Sequence, residues 1–435
     1  MVLIKNIRFA GETNADGWIL IRDKFIEGTG HGELPVADKT VDGKGALALP
    51  GIIDCHVHFR EPGLTEKADI ASESRAAIAG GVTSYLEMPN TKPPTTTIEA
   101  WEDKIHRAEA SSLANYGFFI GATNDNIDVL KSADYHRIPG VKLFMGSSTG
   151  NMLVDDNDTI SRIFSEAPAI VAIHAEDQCI IDEATKKAKE KYGAEVPVEM
   201  HSVIRPPQAC YASSEKAVFL AEKFRHRLHI CHITTKEELS LLSPGNPAEK
   251  LITSEVSPHH LMWSSEDYAD KGTRIKMNPA VKSEADRQAL IQALNDGLID
   301  MVATDHAPHR LKDKEGTALT AASGAPLVQF SLAWMLGHFS EDTVQRVMCA
   351  NPASIYHIDR RGSLLPGYYA DITLVDTVKP YTVSDADVIS KCGWTPMSGV
   401  TLTRRVASTW INGQEAYAHG RFTGTARAMP LVFIS

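Results

Sequence analysis

The chain has 435 residues with 43% hydrophobic and 23% charged side chains, the balance of an ordinary folded protein. That length fits a parallel barrel of roughly 250–300 residues with a smaller companion domain. A formal net charge of −11 argues against nucleic acid as a partner and disfavours an anionic membrane surface.

The amino terminus, Met1 to Trp18, lacks the long apolar core and small-residue cleavage site of a signal peptide and reads as a strand and a turn. Ile4–Phe9, Trp18–Ile21 and Ala46–Leu49 are short strand candidates separated by Gly, Asn and Asp turns. From there the pattern alternates. Apolar or β-branched runs at Ile52–Val57, Thr83–Met88, Gly117–Ile120, Val141–Phe144, Ala169–Ile173, Leu228–Ile233, Leu251–Thr253 and Met301–Thr304 predict eight strands. Helix-like segments at Lys67–Ala79, Thr97–Ser111, Asp156–Glu166, Ser214–Phe224 and Glu284–Leu294 lie between them.

Near the carboxyl end, Ala370–Val375 and Val406–Ile411 return to strand character, with Asn412-Gly413 as a hairpin turn. The expected architecture is an α/β fold: a (β/α)₈ TIM barrel over residues 51–359, plus a small β-sandwich domain built from residues 1–50 and 360–435. A doubly wound open sheet would alternate in the same way, so the strand count alone leaves both open. No run approaches the ~20 apolar residues of a spanning helix. The six cysteines, Cys55, Cys179, Cys210, Cys231, Cys349 and Cys392, form no CxxC pair and read as reduced packing residues of a cytoplasmic protein.

Active sites of such barrels lie at the carboxyl ends of the strands. The first strand ends Asp54-Cys-His-Val-His-Phe-Arg60, so a period of two puts His56, His58 and Arg60 on one face. The HxH pair alone is a weak signal, and its position gives it weight. The fourth strand places Lys142 inside an apolar run. Such a lysine either snorkels or pairs with an acid, or it has a depressed pKa that lets it react with CO₂ to form an anionic carbamate.

His174 closes the fifth strand, His232 the sixth, and Asp305 follows the eighth. Imidazoles, one carboxylate and an oxygen-rich bridge suit borderline metals such as Zn²⁺. Two divalent ions about 3.5–4 Å apart can hold a bridging hydroxide that is nucleophilic at neutral pH. Asp305 is then the proton carrier between that water and the leaving nitrogen. Other histidines read as bystanders. His229 is out of phase with His232, His259 and His260 are adjacent on a strand and face opposite ways, and His306 is a supporting hydrogen-bond group.

The strings Asp54-Cys-His-Val-His-Phe-Arg-Glu-Pro-Gly63, Glu87-Met-Pro-Asn-Thr-Lys-Pro93 and Val141-Lys-Leu-Phe144 resemble the dihydroorotases of the amidohydrolase superfamily. So do Ser257-Pro-His-His-Leu261, Met277-Asn-Pro279 and Ala303-Thr-Asp-His-Ala-Pro-His309. The resemblance implies that His56, His58 and Asp305 hold one metal and that His174 and His232 hold the second. Lys142 then stands where many relatives carry a carboxylated lysine that bridges both ions, and others carry an aspartate. Arg60, Asn90 and His309 match positions that grip a substrate carboxylate, and Asn278 matches one near the pyrimidine ring.

The implied reaction is the reversible hydrolysis of L-dihydroorotate to N-carbamoyl-L-aspartate in pyrimidine synthesis. Allantoinase or dihydropyrimidinase chemistry is the near alternative, and a catalytically inactive scaffold is the distant one. The assembly suggested by the resemblance is a homodimer. Two features depart from the family pattern: Ala322-Ser-Gly-Ala-Pro326 matches only loosely, and Pro279-Ala-Val-Lys282 lacks an arginine found in many relatives. The long segment from Arg310 to Ser323 reads as a lid, with Lys312, Asp313 and Lys314 on a solvated loop.

Overall fold

Eight parallel strands form the centre of the chain in the computed structural model, which describes residues 1–146 and 152–434. They are Ile52–Val57, Val82–Glu87, Asn115–Phe118, Val141–Phe144, Val171–His174, Leu228–Ile230, Ile252–Val256 and Met301–Val302. Almost every residue in them is buried, because helices cover the outer face and side chains fill the interior. That double burial is why they read in sequence as continuous apolar runs.

Each strand pairs in parallel with the next, the third through its continuation Ile120–Gly121. A parallel bridge between Val57 and His306 joins the first strand to the segment after the eighth. This closes the ring and excludes the open doubly wound sheet.

Two strands stop earlier than their composition suggests. Leu228–Ile230 and Met301–Val302 end before His232 and Asp305, which adopt left-handed φ values of 38° and 48°. Arg60, beyond the first strand, does the same at 71°. Left-handed backbone costs a side-chain-bearing residue and concentrates at functional sites. Here it turns three candidate residues away from ladder geometry at the barrel mouth.

The long connection after the fifth strand holds two long helices, Gln178–Tyr192 and Pro207–Phe224, with the short helix His201–Ile204 between them. The first is largely polar and buries only Ile181 and Ala188, so few apolar residues mark it in the sequence. The second begins at Pro207, in the first helical turn where proline's missing N–H costs nothing, seven residues before the expected start.

Both termini contribute to one nine-stranded sheet. Val2–Phe9 changes partners along its length: Val2–Lys5 pairs with Lys39–Asp42, and Arg8 and Phe9 pair with Leu47 and Ala48. The two halves pack Ile4, Ile19 and Ile21 against Ile372, Leu374 and Trp410. The final residues leave this sheet. Leu431 and Phe433 join the cluster inside the barrel with Ile53, Leu86 and Met301. Buried Asp371 ties the parts together, accepting from Arg361 Nη1, from Asn115 Nδ2 at 3.2 Å and from the Asn412 backbone N–H at 2.8 Å.

Candidate active site

One cavity of about 710 Å³ opens at the carboxyl ends of the barrel strands, and all ten candidate residues line it: His56, His58, Arg60, Asn90, Lys142, His174, His232, Asn278, Asp305 and His309. Parallel strands deliver these residues to one end because every strand in such a barrel points the same way.

At the floor, His56 Nδ1–H donates to Glu255 Oε1 at 2.5 Å, leaving Nε2 facing Asp305 Oδ1 at 3.4 Å. His58 repeats the arrangement, with Nδ1–H on Asn90 Oδ1 at 2.8 Å and Nε2 3.1 Å from the same Asp305 oxygen. His174 commits Nε2–H to Glu176 Oε2 at 3.0 Å, which leaves the Nδ1 lone pair 3.0 Å from His232 Nε2. Three rings thus have one nitrogen anchored and the other aimed inward, the arrangement that carboxylate or amide partners impose on metal-binding imidazoles.

Ligand atoms of His56, His232 and Asp305 lie within 4.8 Å of one another, as do those of His56, Cys231 and Glu255. This donor set, imidazole and carboxylate around facing lone pairs, fits a divalent cation.

The electrostatics agree with that chemistry. Burial opposes a charged His56, yet Glu255 and Asp305 outweigh it and raise the ring to about 10. Burial lowers His58 to about 4. Burial would raise Asp305, but His56 and His58 hold it well below the usual carboxylate range.

Lys142 Nζ donates to Cys231 Sγ at 2.9 Å. That thiol therefore does more than pack. His259 and His260 are not strand neighbours, as the sequence suggested; they sit on the short helix Pro258–Met262, both buried. Neither ring nitrogen of His259 has a hydrogen-bond partner. His229 is buried against Glu255 Oε2 and Thr253, and His306 donates to Glu73 at 2.7 Å while accepting from the Leu327 and Val328 backbone.

The upper wall is cationic. Arg60 is buried, its Nε donating to Pro308 O at 3.0 Å and its Nη2 3.1 Å from His309 Nε2. Its sequence neighbours Glu61 and Glu66 form no ion pair with it. Glu61 faces Arg107, and among the described residues no carboxylate pairs with Arg60. Lys314 is likewise not solvated, as expected for its loop, but only 2% exposed.

Sequence reasoning missed Glu255, Glu176, Arg205 and Lys276. Glu255 is buried in the strand Ile252–Val256, but that strand reads Ile-Thr-Ser-Glu-Val, so no apolar run marks the acid as an exception. Glu176, two residues after His174, shares its face and binds Arg205. Nothing in sequence distinguishes Arg205 or Lys276 from surface cations.

A closed parallel barrel with a histidine–carboxylate centre at its strand ends defines the class of barrel hydrolases. The chain belongs to the amidohydrolase family, whose pattern matches residues 47–416, and it is a hydrolase. It is 36% identical to a dihydroorotase of Halobacterium salinarum over 91% of this chain and 89% of that protein. It is 31% identical to a dihydroorotase of Pyrococcus abyssi over 99% of this chain and 98% of that one. Among solved structures it superposes with a TM-score of 0.93 on an L-hydantoinase (dihydropyrimidinase) from Arthrobacter aurescens, at 25% identity and 99% coverage of each chain. Among the described residues no helix is long and apolar enough to cross a membrane.

Proposed function

We propose that this chain catalyses the reversible hydrolysis of L-dihydroorotate to N-carbamoyl-L-aspartate. One observation carries the choice of substrate: a buried guanidinium, Arg60, lines the reaction cavity, and among the described residues no carboxylate forms an ion pair with it. A ring bearing a carboxylate supplies the missing charge through two hydrogen bonds. His56, His58 and Asp305 would hold one divalent ion and His174 and His232 a second, most simply Zn²⁺, with carboxylated Lys142 between them. When bound, these ions supply Lewis acidity toward the amide carbonyl and a water acidified to nucleophilic strength at neutral pH.

The remaining work belongs to side chains. Arg60, His309 and Asn90 grip the ring carboxylate, and Asn278 Oδ1, buried and unpartnered, is available to a ring N–H. The Asp305 carboxylate takes the proton from the attacking water and delivers it to the ring nitrogen as the C–N bond breaks. Glu255 and Glu176 keep His56 and His174 in single tautomers throughout. The barrel, residues 51–359, carries this chemistry, and the terminal sheet supports it. The reading implies a small-molecule substrate and a cytoplasmic setting.

Dihydropyrimidinase-type hydrolysis of a carboxylate-free ring is the second reading, favoured by the superposition on the hydantoinase. Turnover of dihydroorotate by the zinc-loaded protein, measured beside allantoin and dihydrouracil, separates the two. Hydrolysis of dihydroorotate alone supports the proposal, whereas preference for dihydrouracil or allantoin replaces it with the second reading. Ring closure consumes one proton, so the equilibrium must shift toward dihydroorotate as pH falls; a flat ratio from about pH 6 to 8 would rule the reaction out.

A further inference from the structure

Two lysines near the Arg60 side of the cavity are left unused by the proposed reaction: Lys276, which lines the cavity, and Lys314, which does not. Lys314 Nζ donates to three backbone oxygens: Lys276 O at 2.9 Å, Ala322 O at 2.7 Å and Gly324 O at 2.8 Å. Three acceptors around one nitrogen require three N–H groups, which the ammonium has and the neutral amine lacks. Lys276 Nζ in turn donates to Ala321 O and to Ser323 Oγ. Both lysines therefore grip the 321–324 stretch that lines the cavity. The same stretch offers Ser323 O to His309 Nε2 at 3.0 Å, and His309 contacts Arg60.

Several other buried cations have carboxylate partners, whereas Lys142 and Lys282 donate to Cys231 Sγ and Ala280 O. Lys104 pairs with Glu87, Lys250 with Asp300, Arg361 with Asp371 and Arg205 with Glu176. Among the described residues, none of Arg60, Lys276 and Lys314 has a carboxylate within ion-pair distance, although all three are less than 9% exposed. They sense one another. Burial first, then Lys276 and Arg60, drive Lys314 well below the ordinary lysine value, and burial with Arg205 lowers Lys276 to about 8. Such a cluster opposes an empty site and is relieved by an anion.

We infer that Lys314 and Lys276 are specificity-determining residues that, with Arg60, impose a buried cationic field selecting carboxylate-bearing rings over neutral ones. Lys314 acts from behind the 321–324 stretch as a positioning and charge-bearing group without touching the ligand. The inference rests on the proposed function only in naming a ring carboxylate as the anion.

Orotate and uracil test it, since they share a planar ring and differ by the carboxylate. Calorimetry on the zinc-loaded protein should show Lys314→Met weakening orotate by about tenfold or more while uracil changes by less than about twofold, as expected for loss of a charge acting over several ångströms. Equal weakening of both rings would reduce Lys314 to a loop support and overturn the inference; so would no change in either. If Lys314→Met does not fold, Lys276→Gln carries the same expectation. A wild-type protein that prefers orotate to uracil but leaves dihydroorotate unopened would end the functional proposal alone. One that opens dihydroorotate, with variants that retain the wild-type orotate-to-uracil ratio, would end this inference alone.

Discussion

Replacing Arg60 by Met separates substrate recognition from fold stability. The guanidinium is 6% exposed, gives one hydrogen bond to Pro308 O and one contact to His309 Nε2, and among the described residues has no carboxylate ion-pair partner. Losing these contacts costs about 1–2 kcal/mol, and removing a buried cation offsets the loss, since burial outweighs the pull of Asp305, Glu87 and Glu73 and lowers Arg60 to about 10. The melting temperature should therefore stay within about 3 °C of the wild type.

Catalysis should respond very differently. A charge-assisted hydrogen bond contributes about 1.5–3 kcal/mol, and a bidentate grip contributes two, part of which Asn90 and His309 retain. A net loss of about 3–4 kcal/mol lowers kcat/KM for dihydroorotate by roughly 100- to 1,000-fold. Initial rates followed by ring absorbance, with uracil as a competitive inhibitor whose affinity is unchanged, make the measurement. A loss under about threefold, or an equal loss of uracil binding, would refute the carboxylate role assigned to Arg60.

Asp305→Asn should remove at least about 10³-fold of kcat without unfolding the chain, because the amide cannot carry the proton; substantial residual turnover in a metal-loaded variant would move that role elsewhere. Glu255→Gln should weaken zinc retention by about 10- to 100-fold, read by competition with a chromophoric chelator, since His56 loses the partner that fixes its tautomer. Unchanged affinity would show that the 2.5 Å contact with His56 is dispensable. Asp371→Asn breaks a buried ion pair with Arg361 and should destabilise by about 3 kcal/mol in denaturant titration, with activity retained below the transition.

Much of the barrel was legible because its strands are buried on both faces and therefore read as apolar runs, so Ile52–Val57 and Val141–Phe144 emerge with the boundaries expected of them. The ligand-type residues were legible for the complementary reason: His56, His58, Lys142 and His174 interrupt those runs with groups that an apolar environment penalises. Gln178–Tyr192 escaped detection because it is mostly polar and buries only two residues, so few apolar positions mark it.

The amino-acid order by itself determined which residues bear chemistry and that strands deliver them to one end, since both follow from local burial and the direction of parallel strands. Only the tertiary structure decided what supports them. Glu255 reaches His56 across 199 residues, and Lys314 finds its carbonyl cage in segments 8 to 38 residues away. Neither partnership leaves a periodic or compositional trace. Both arise from closure of the ring, which brings chain-distant segments within hydrogen-bond distance of each other.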